Sequence, residues 1–227
     1  LPPAAPSRVF LRAAAFRSGT SPSVALHELV DAWRAAEPAA RLLIAYGGEA
    51  WFNRSLLAAG CTLAEEVIFL ALPDLPRVVA GLPPGLPPDP PENAPRPLAP
   101  SELPELAALD AACFNVLWHM GVADLRQLLL FGRLTVVARD GALAGYLALT
   151  VKDRVAQIAR LAVHPAWSGH GMGRRLLADG LAAAAEQGCE SAVLNTQAAN
   201  NRAQALYRAF GFRPTGERFE VYTRPAP

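Results

Sequence analysis

Ser168-Gly169-His170-Gly171-Met172-Gly173 is the stretch of this chain best suited to chemistry. It lies between an apolar run that reads as a β-strand and an amphipathic segment that reads as a helix beginning near Arg174. Three alternating glycines remove three side chains where a strand turns into a helix. Backbone N–H groups can converge there on an anion, and the helix adds the positive end of its dipole. The residue types and spacing therefore point to a phosphate seat, although on spacing alone a plain tight turn fits as well.

The neighbouring residues narrow the ligand. A nucleoside-triphosphate loop closes on Gly-Lys-Ser/Thr, whereas Gly173 is followed by Arg174 and Arg175. A dinucleotide fingerprint spaces its glycines G-x-G-x-x-G and places an acid at the end of the next strand. Here the spacing is G-x-G-x-G, and Glu190 precedes the next strand. Both nucleotide readings fail. Further on, Asn200-Asn201-Arg202-Ala203-Gln204-Ala205-Leu206-Tyr207-Arg208-Ala209-Phe210-Gly211-Phe212 reads as a short helix stopped by glycine. Leu161 to Pro165, the glycine loop and Arg174-Arg175-Leu176-Leu177, followed by this second motif, resemble the GNAT superfamily of acyl-CoA-dependent N-acyltransferases. The resemblance spans about residues 96–225.

That resemblance implies acetyl-CoA as cosubstrate and a role for each matching position. Leu161, Ala162 and Val163 would pair with the pantetheine arm like an added strand. Ser168, Gly169, His170, Gly171, Met172, Gly173 and Arg174 would hold the diphosphate. Ser168 departs from the usual Arg or Gln, which implies weaker binding with the site retained. Asn200 would contact the pantetheine arm or simply cap its helix. Tyr207 is the candidate general acid for the leaving thiolate, with packing of its helix as the competing role. No carboxylate stands where relatives that acetylate protein N-termini carry a glutamate; that position is Asn195, and Gln157 on the preceding strand is neutral too. Asn195 and Thr196 would order a water that takes the proton. Phe114 and Trp118, with His119 and Met120, would wall the acceptor pocket. Glu217 and Glu220 are further candidate bases.

The missing base bears on the acceptor. Freeing a lysine amine of pKa about 10.4 at pH 7.5 costs roughly 4 kcal/mol, against under about 0.5 for an α-amine near 7.8. The expected acceptor is a low-pKa small-molecule amine or a peptide N-terminus.

These residues need elements to place them. A helix from Ser101 to about Cys113 and another over 122–130 precede strands at Leu134–Arg139 and Leu143–Thr150, joined by an Asp140-Gly141 turn. A strand over 154–164 enters the glycine loop, and helix 173–187, strand 191–196, helix 200–210 and a strand pair around Arg213–Thr223 follow. The fold class is α/β (α+β), with a mixed, mostly antiparallel sheet flanked by helices as the resemblance implies. Eight prolines between Gly81 and Pro97 make a stiff extended linker, residues 81–96, between residues 1–80 and 97–227. The first half repeats the order strand, loop, helix, strand, helix-Gly, strand. Its strand at Val9–Phe16 leads to a loop that keeps only Gly19, and Leu26, Leu29, Val30 and Trp33 share one helix face. It reads as a degenerate partial copy of the second half, or else as an unrelated α/β cap.

Composition excludes other classes. A net charge of +1 offers no basic stripe for nucleic acid. Three widely spaced cysteines fit neither a disulfide frame nor a zinc site, and no metal is expected. Apolar runs stay below membrane-spanning length and no leader pattern opens the chain, so the expected setting is the cytoplasm. An exposed sheet edge in the first half would allow a homodimer. Two alternatives stand beside the leading reading: a non-catalytic acyl-CoA-binding or interaction module, and an enzyme similar to mycothiol synthase.

Overall fold

The computed structural model describes residues 7–11, 21–36, 40–82 and 94–225. They divide into two compact units, one of residues 1–68, 197–199 and 216–227 and the other of residues 69–196 and 200–215. The boundary falls within a strand and not at the proline-rich stretch, most of which (83–93) lies outside the described residues. Two interactions between residues distant in sequence accompany this boundary. Residues 69–82 carry a helix whose Leu75 is fully buried and whose first N–H donates to the Glu190 carbonyl at 2.8 Å. The last strand pairs with a strand of the first unit.

In the first unit, β1 (Ser7–Leu11) runs parallel to β2 (Ala40–Tyr46), with α1 (Pro22–Ala36) between them in sequence. β2 also pairs, antiparallel, with the end of β9 (Arg213–Pro225), from Leu42 opposite Pro225 to Tyr46 opposite Val221. α2 (Ala50–Ala58) follows, and β3 (Thr62–Leu72) starts here. Leu26 and Val30 of α1, four residues apart, meet Leu43, Leu56 and Tyr222 in one apolar cluster, with Trp33 against it. Leu29 does not join them; it is exposed. The expected Gly19 loop and residues 12–16 of the first strand lie outside the described residues.

In the second unit, α3 (Leu75–Ala80) comes first, followed by β4 (Arg96–Pro97). A 3-10 turn at Pro100–Glu102 precedes α4 (Leu103–Cys113), so Ser101 is not the helix cap. α5 (Val122–Phe131), β5 (Arg133–Arg139), β6 (Ala142–Lys152) and β7 (Val155–Val163) follow. β4 to β7 pair antiparallel in chain order. The two hairpin turns place Asp140-Gly141 and Asp153-Arg154 at positive φ, as tight turns between twisted strands require. α6 (Met172–Glu186) then crosses to β8 (Ser191–Gln197), which runs parallel to β7, and α7 (Asn201–Ala209) leads to β9. β9 is one long strand, not the expected strand pair.

Period-two alternation decides which face each helix covers. Tyr146 and Ala148 of β6 join Leu106, Leu109 and Leu125 of α4 and α5. Gly145 and Leu147 turn to α6 instead: a Cβ on Gly145 would stand 3.2 Å from Leu176 Cδ1, and one on Gly180 would stand 2.8 Å from Leu147 Cδ2. Helices thus cover both faces of a mixed, mostly antiparallel sheet. No helix among the described residues is long and apolar enough to cross a membrane.

Gly132, between α5 and β5, is the tightest point of this packing, because a Cβ there would lie 2.2 Å from the backbone oxygen of Leu149. Gly132→Ala should cost about 2–3 kcal/mol, read from the urea midpoint. Gly121→Ala, whose Cβ would find only Asp124 Oδ2 at 3.7 Å, should stay within about 0.5 kcal/mol.

Candidate active site

β7 and β8 stay paired for only four residues, from Val155 opposite Ser191 to Ile158 opposite Leu194. β7 remains bound to β6 as far as Val163 opposite Gly145, and a bulge at the Ala148/Leu149 step leaves Ala159 as the extra residue. Beyond Ile158 the β8 side of β7 is therefore an open strand edge inside the unit. The His164 N–H donates to Ala144 O at 2.8 Å on the β6 side. By strand alternation Leu161 and Val163 turn their N–H and C=O groups to the open edge. Backbone polar groups at such an edge need partners, and an extended amide-bearing chain would supply them.

At the end of β7 the chain turns through the glycine loop. His164 accepts the Ala166 N–H on Nδ1 at 3.2 Å, and the Trp167 N–H returns to His164 O at 2.9 Å. Trp167 lies edge-on to His170 at 6.2 Å between ring centres, and the Arg139 guanidinium sits 5.0 Å from its ring. Gly169 and Gly171 have φ of +91° and +80°, conformations that disfavour any side chain. A Cβ at either would meet no protein atom within 4 Å, so the space above the loop is open to a ligand. The first helical bond of α6 runs from the Arg175 N–H to Gly171 O. The N–H groups of Met172, Gly173 and Arg174 precede it and have no intrahelical partner.

Edge and loop border one cleft of about 390 Å³ within the second unit. Among the residues expected at a site, Phe114, Leu161, Ala162, Val163, Ser168, Gly169, Gly171, Met172, Gly173, Arg174, Asn200 and Tyr207 line it. His170, Trp118, Asn195 and Thr196 do not. His170 supports the loop through Trp167 and, by Nδ1, through Ser168 O. Asn195 is exposed and Thr196 buried, on alternate faces of β8. Glu217 and Glu220 belong to the first unit, where Glu220 accepts hydrogen bonds from Asn53 Nδ2 at 2.9 Å and from the Tyr222 hydroxyl.

Cys113, Trp167, Arg202 and Leu206 line the cleft without having been singled out in the sequence. Arg202, Ala203, Leu206 and Tyr207 follow the spacing of a single helix face, which was the available signal. The lining contains two arginines and no carboxylate, a setting that favours an anionic ligand. Asn200 both lines the cleft and caps α7, accepting the Ala203 N–H at 3.1 Å. Tyr207 is almost fully buried, and burial pushes its phenol up to about 12, so it keeps its proton throughout the neutral range. Burial, with the charge of Asp110, raises the Cys113 thiol to about 11; it stays protonated and is a poor nucleophile.

A buried network braces the other wall. Asp110 of α4 is fully buried and receives Arg160 Nε at 2.9 Å, Arg160 Nη2 at 3.0 Å, the Met120 N–H at 2.5 Å and the Tyr146 hydroxyl. Arg160 also donates to the Trp118 carbonyl and lies 3.6 Å from the centre of the Phe114 ring. The α4–α5 loop is thereby tied to β7 at Arg160, just after β7 and β8 part. The Trp118 backbone serves this brace although Trp118 does not line the cleft.

Residues 103–212 match the acetyltransferase (GNAT) family. Over 88 residues the chain is 33% identical to a Bacillus subtilis (strain 168) protein provisionally named ribosomal protein bS18-alanine N-acetyltransferase; this covers 39% of the chain and 58% of that protein. Over 74 residues it is 42% identical to a mycothiol acetyltransferase of Clavibacter sepedonicus, covering 33% of the chain and 24% of that protein. The matches thus reach 58% and 24% of these relatives' lengths. A GCN5-related N-acetyltransferase of Sphaerobacter thermophilus shares the fold, with a TM-score of 0.66 at 16% identity over 97% of this chain and 74% of that one.

Gly171→Glu would put a carboxylate into the open space above the glycine loop at a strained φ. It should lower acetyl-CoA affinity at least a hundredfold in calorimetric titration; unchanged affinity would remove the loop from the site.

Proposed function

We propose that the chain transfers an acetyl group from acetyl-CoA to an amine that is largely neutral at physiological pH, with a peptide α-amine as the favoured acceptor; the match of residues 103–212 to the acetyltransferase (GNAT) family supports this reading. One observation carries the reading: an open β-strand edge runs into an amide-rich glycine loop in a cleft that holds cations and no carboxylate. The cleft fits the coenzyme. Leu161 and Val163 offer strand pairing to its amide-bearing arm, and the amides of Met172 to Arg174 face the position for its diphosphate. The thioester supplies an activated acyl group.

The protein's own residues have limited work to do. Phe114 and Leu206 line the cleft and keep it apolar. Tyr207 holds a proton where a departing sulfur would need one. Its raised pKa makes complete transfer to a solvated thiolate of pKa about 8.5 uphill by roughly 5 kcal/mol. A thiolate in the same desolvated cleft is raised as well, which narrows that gap. No residue on the lining serves as a carboxylate base, so the acceptor must arrive neutral or lose its proton to water. The alanine α-amine in the name of the Bacillus subtilis relative agrees with such an acceptor.

The Clavibacter sepedonicus relative supports a second enzyme reading, an acetyltransferase similar to the mycothiol acetyltransferase of its name. The β1–α1–β2 segment, a parallel strand pair with a helix between the strands in sequence, repeats the pattern of β7–α6–β8. We take the first unit to be a partial copy on this ground.

An alanine-terminated peptide should be acetylated at least about a hundredfold faster at pH 7.5 than an Nα-blocked lysine peptide, by mass spectrometry of the products. Preference for lysine would sink the proposed acceptor class, and no turnover with any amine would favour a binding module. Tyr207→Phe should lower kcat by about 10²–10⁴ while the acetyl-CoA Kd stays within about threefold. Equal loss in both would assign Tyr207 to packing.

A further inference from the structure

A second recess, of about 630 Å³, lies within the same unit, and Arg174 lines both it and the cleft. Its other polar walls come from Arg77 of α3 and Arg213 at the start of β9, over apolar groups that include Val78 and Phe210. We propose that this recess receives the 3′-phosphoadenosine end of the coenzyme, and that Arg77 and Arg213 recognise its phosphate monoester. The inference rests on the acetyl-CoA reading above. It adds that a helix preceding residues 103–212 takes part in selecting the coenzyme.

Three observations carry it. First, the charge is unbalanced. Arg77, Arg174 and Arg213 are all exposed, and none forms an ion pair among the described residues. Asp74, the single acid on the lining, is occupied as the cap of α3, where it accepts the Arg77 N–H at 3.4 Å. Three guanidinium groups around one recess repel one another until an anion joins them. A phosphate monoester, with up to two negative charges and three acceptor oxygens, suits their forked donors.

Second, the recess is built. Gly211 at the end of α7 has φ of +91°, and a Cβ there would stand 3.3 Å from Leu72 Cδ1 and 3.9 Å from Val78 Cγ2. The α7 end thus approaches the α3 segment closely, and α3 is also held by the Leu75 N–H bond to Glu190 O. The Arg174 guanidinium lies 5.8 Å from the centre of the Phe210 ring, an apolar and cationic surface suited to a flat heterocycle. Third, the position follows the covalent order of the ligand. The diphosphate seat ends at Arg174, and in coenzyme A the 3′-phosphorylated ribose comes next after the diphosphate.

Calorimetric titration with acetyl-CoA and with 3′-dephospho-acetyl-CoA tests the proposal, on the full chain and on its Arg77→Ser/Arg213→Ser double variant. The full chain should bind the dephospho compound at least tenfold more weakly. The double variant should lose at least tenfold in acetyl-CoA affinity and bind both compounds alike, with an unchanged thermal midpoint because both side chains are exposed. Equal affinity of the full chain for the two compounds, or full discrimination kept by the double variant, overturns the recess and leaves the acetyl-CoA reading standing. No heat with either compound overturns both. Binding of adenosine 3′,5′-bisphosphate that survives saturation with acetyl-CoA would make the recess a separate nucleotide site, and so overturn the assignment.

Discussion

β7 cannot satisfy both of its edges along its whole length. It begins as a strand between β6 and β8, and after Ile158 it keeps only β6. The bulge at Ala159 marks the change, and the glycine loop follows once β7 has ended at Val163. A backbone edge left open in the middle of a folded unit is costly unless something pairs with it. The remaining features of the site follow from that edge. The loop turns its amides toward the end of the edge, α6 starts there with unbonded N–H groups, and α7 lines the other side of the gap with Tyr207.

Holding one strand apart from its neighbour demands a brace, and the Asp110–Arg160–Tyr146 network provides it. A buried ion pair adds little net stability, because desolvation consumes most of the attraction, yet removing one partner alone is costly. Every strong site of Asp110 is used, so the network fixes a single arrangement of the α4–α5 loop against β7. Phe114 is carried along, stacked on Arg160 and facing the cleft. The cleft itself is left with cations, an apolar wall and a protonated phenol. Those properties suit an anionic thioester donor and an amine that needs little help to lose a proton.

Much of this was legible in the residues. Glycines at 169, 171 and 173, and the run from Asn200 to Gly211, marked the loop and α7 because positive φ and helix stops demand particular residue types. The order of strands and helices in the second unit followed from the change of apolar period from two to 3.6. The brace was harder to see. Asp110 lies next to Leu109 on an apolar helix, and Arg160 shares a face of β7 with Ala162 beyond the bulge at Ala159, yet nothing local pairs two charges fifty residues apart. Asn195 and Trp118 do not line the cleft: Asn195 is exposed on β8, and the Trp118 carbonyl receives Arg160. The unit boundary inside β3 was illegible for the same reason: prolines mark stiffness, whereas long-range strand pairing decides which residues fold together.

Hydrogen exchange of the full chain with and without acetyl-CoA tests the role of the open edge most directly. The account predicts slowed exchange at the amides of Leu161 and Val163 and from Gly169 to Arg174, with the β1, β2 and α1 amides unchanged. Saturating acetyl-CoA that leaves residues 161–174 exchanging as before, or that protects the first unit instead, would contradict it.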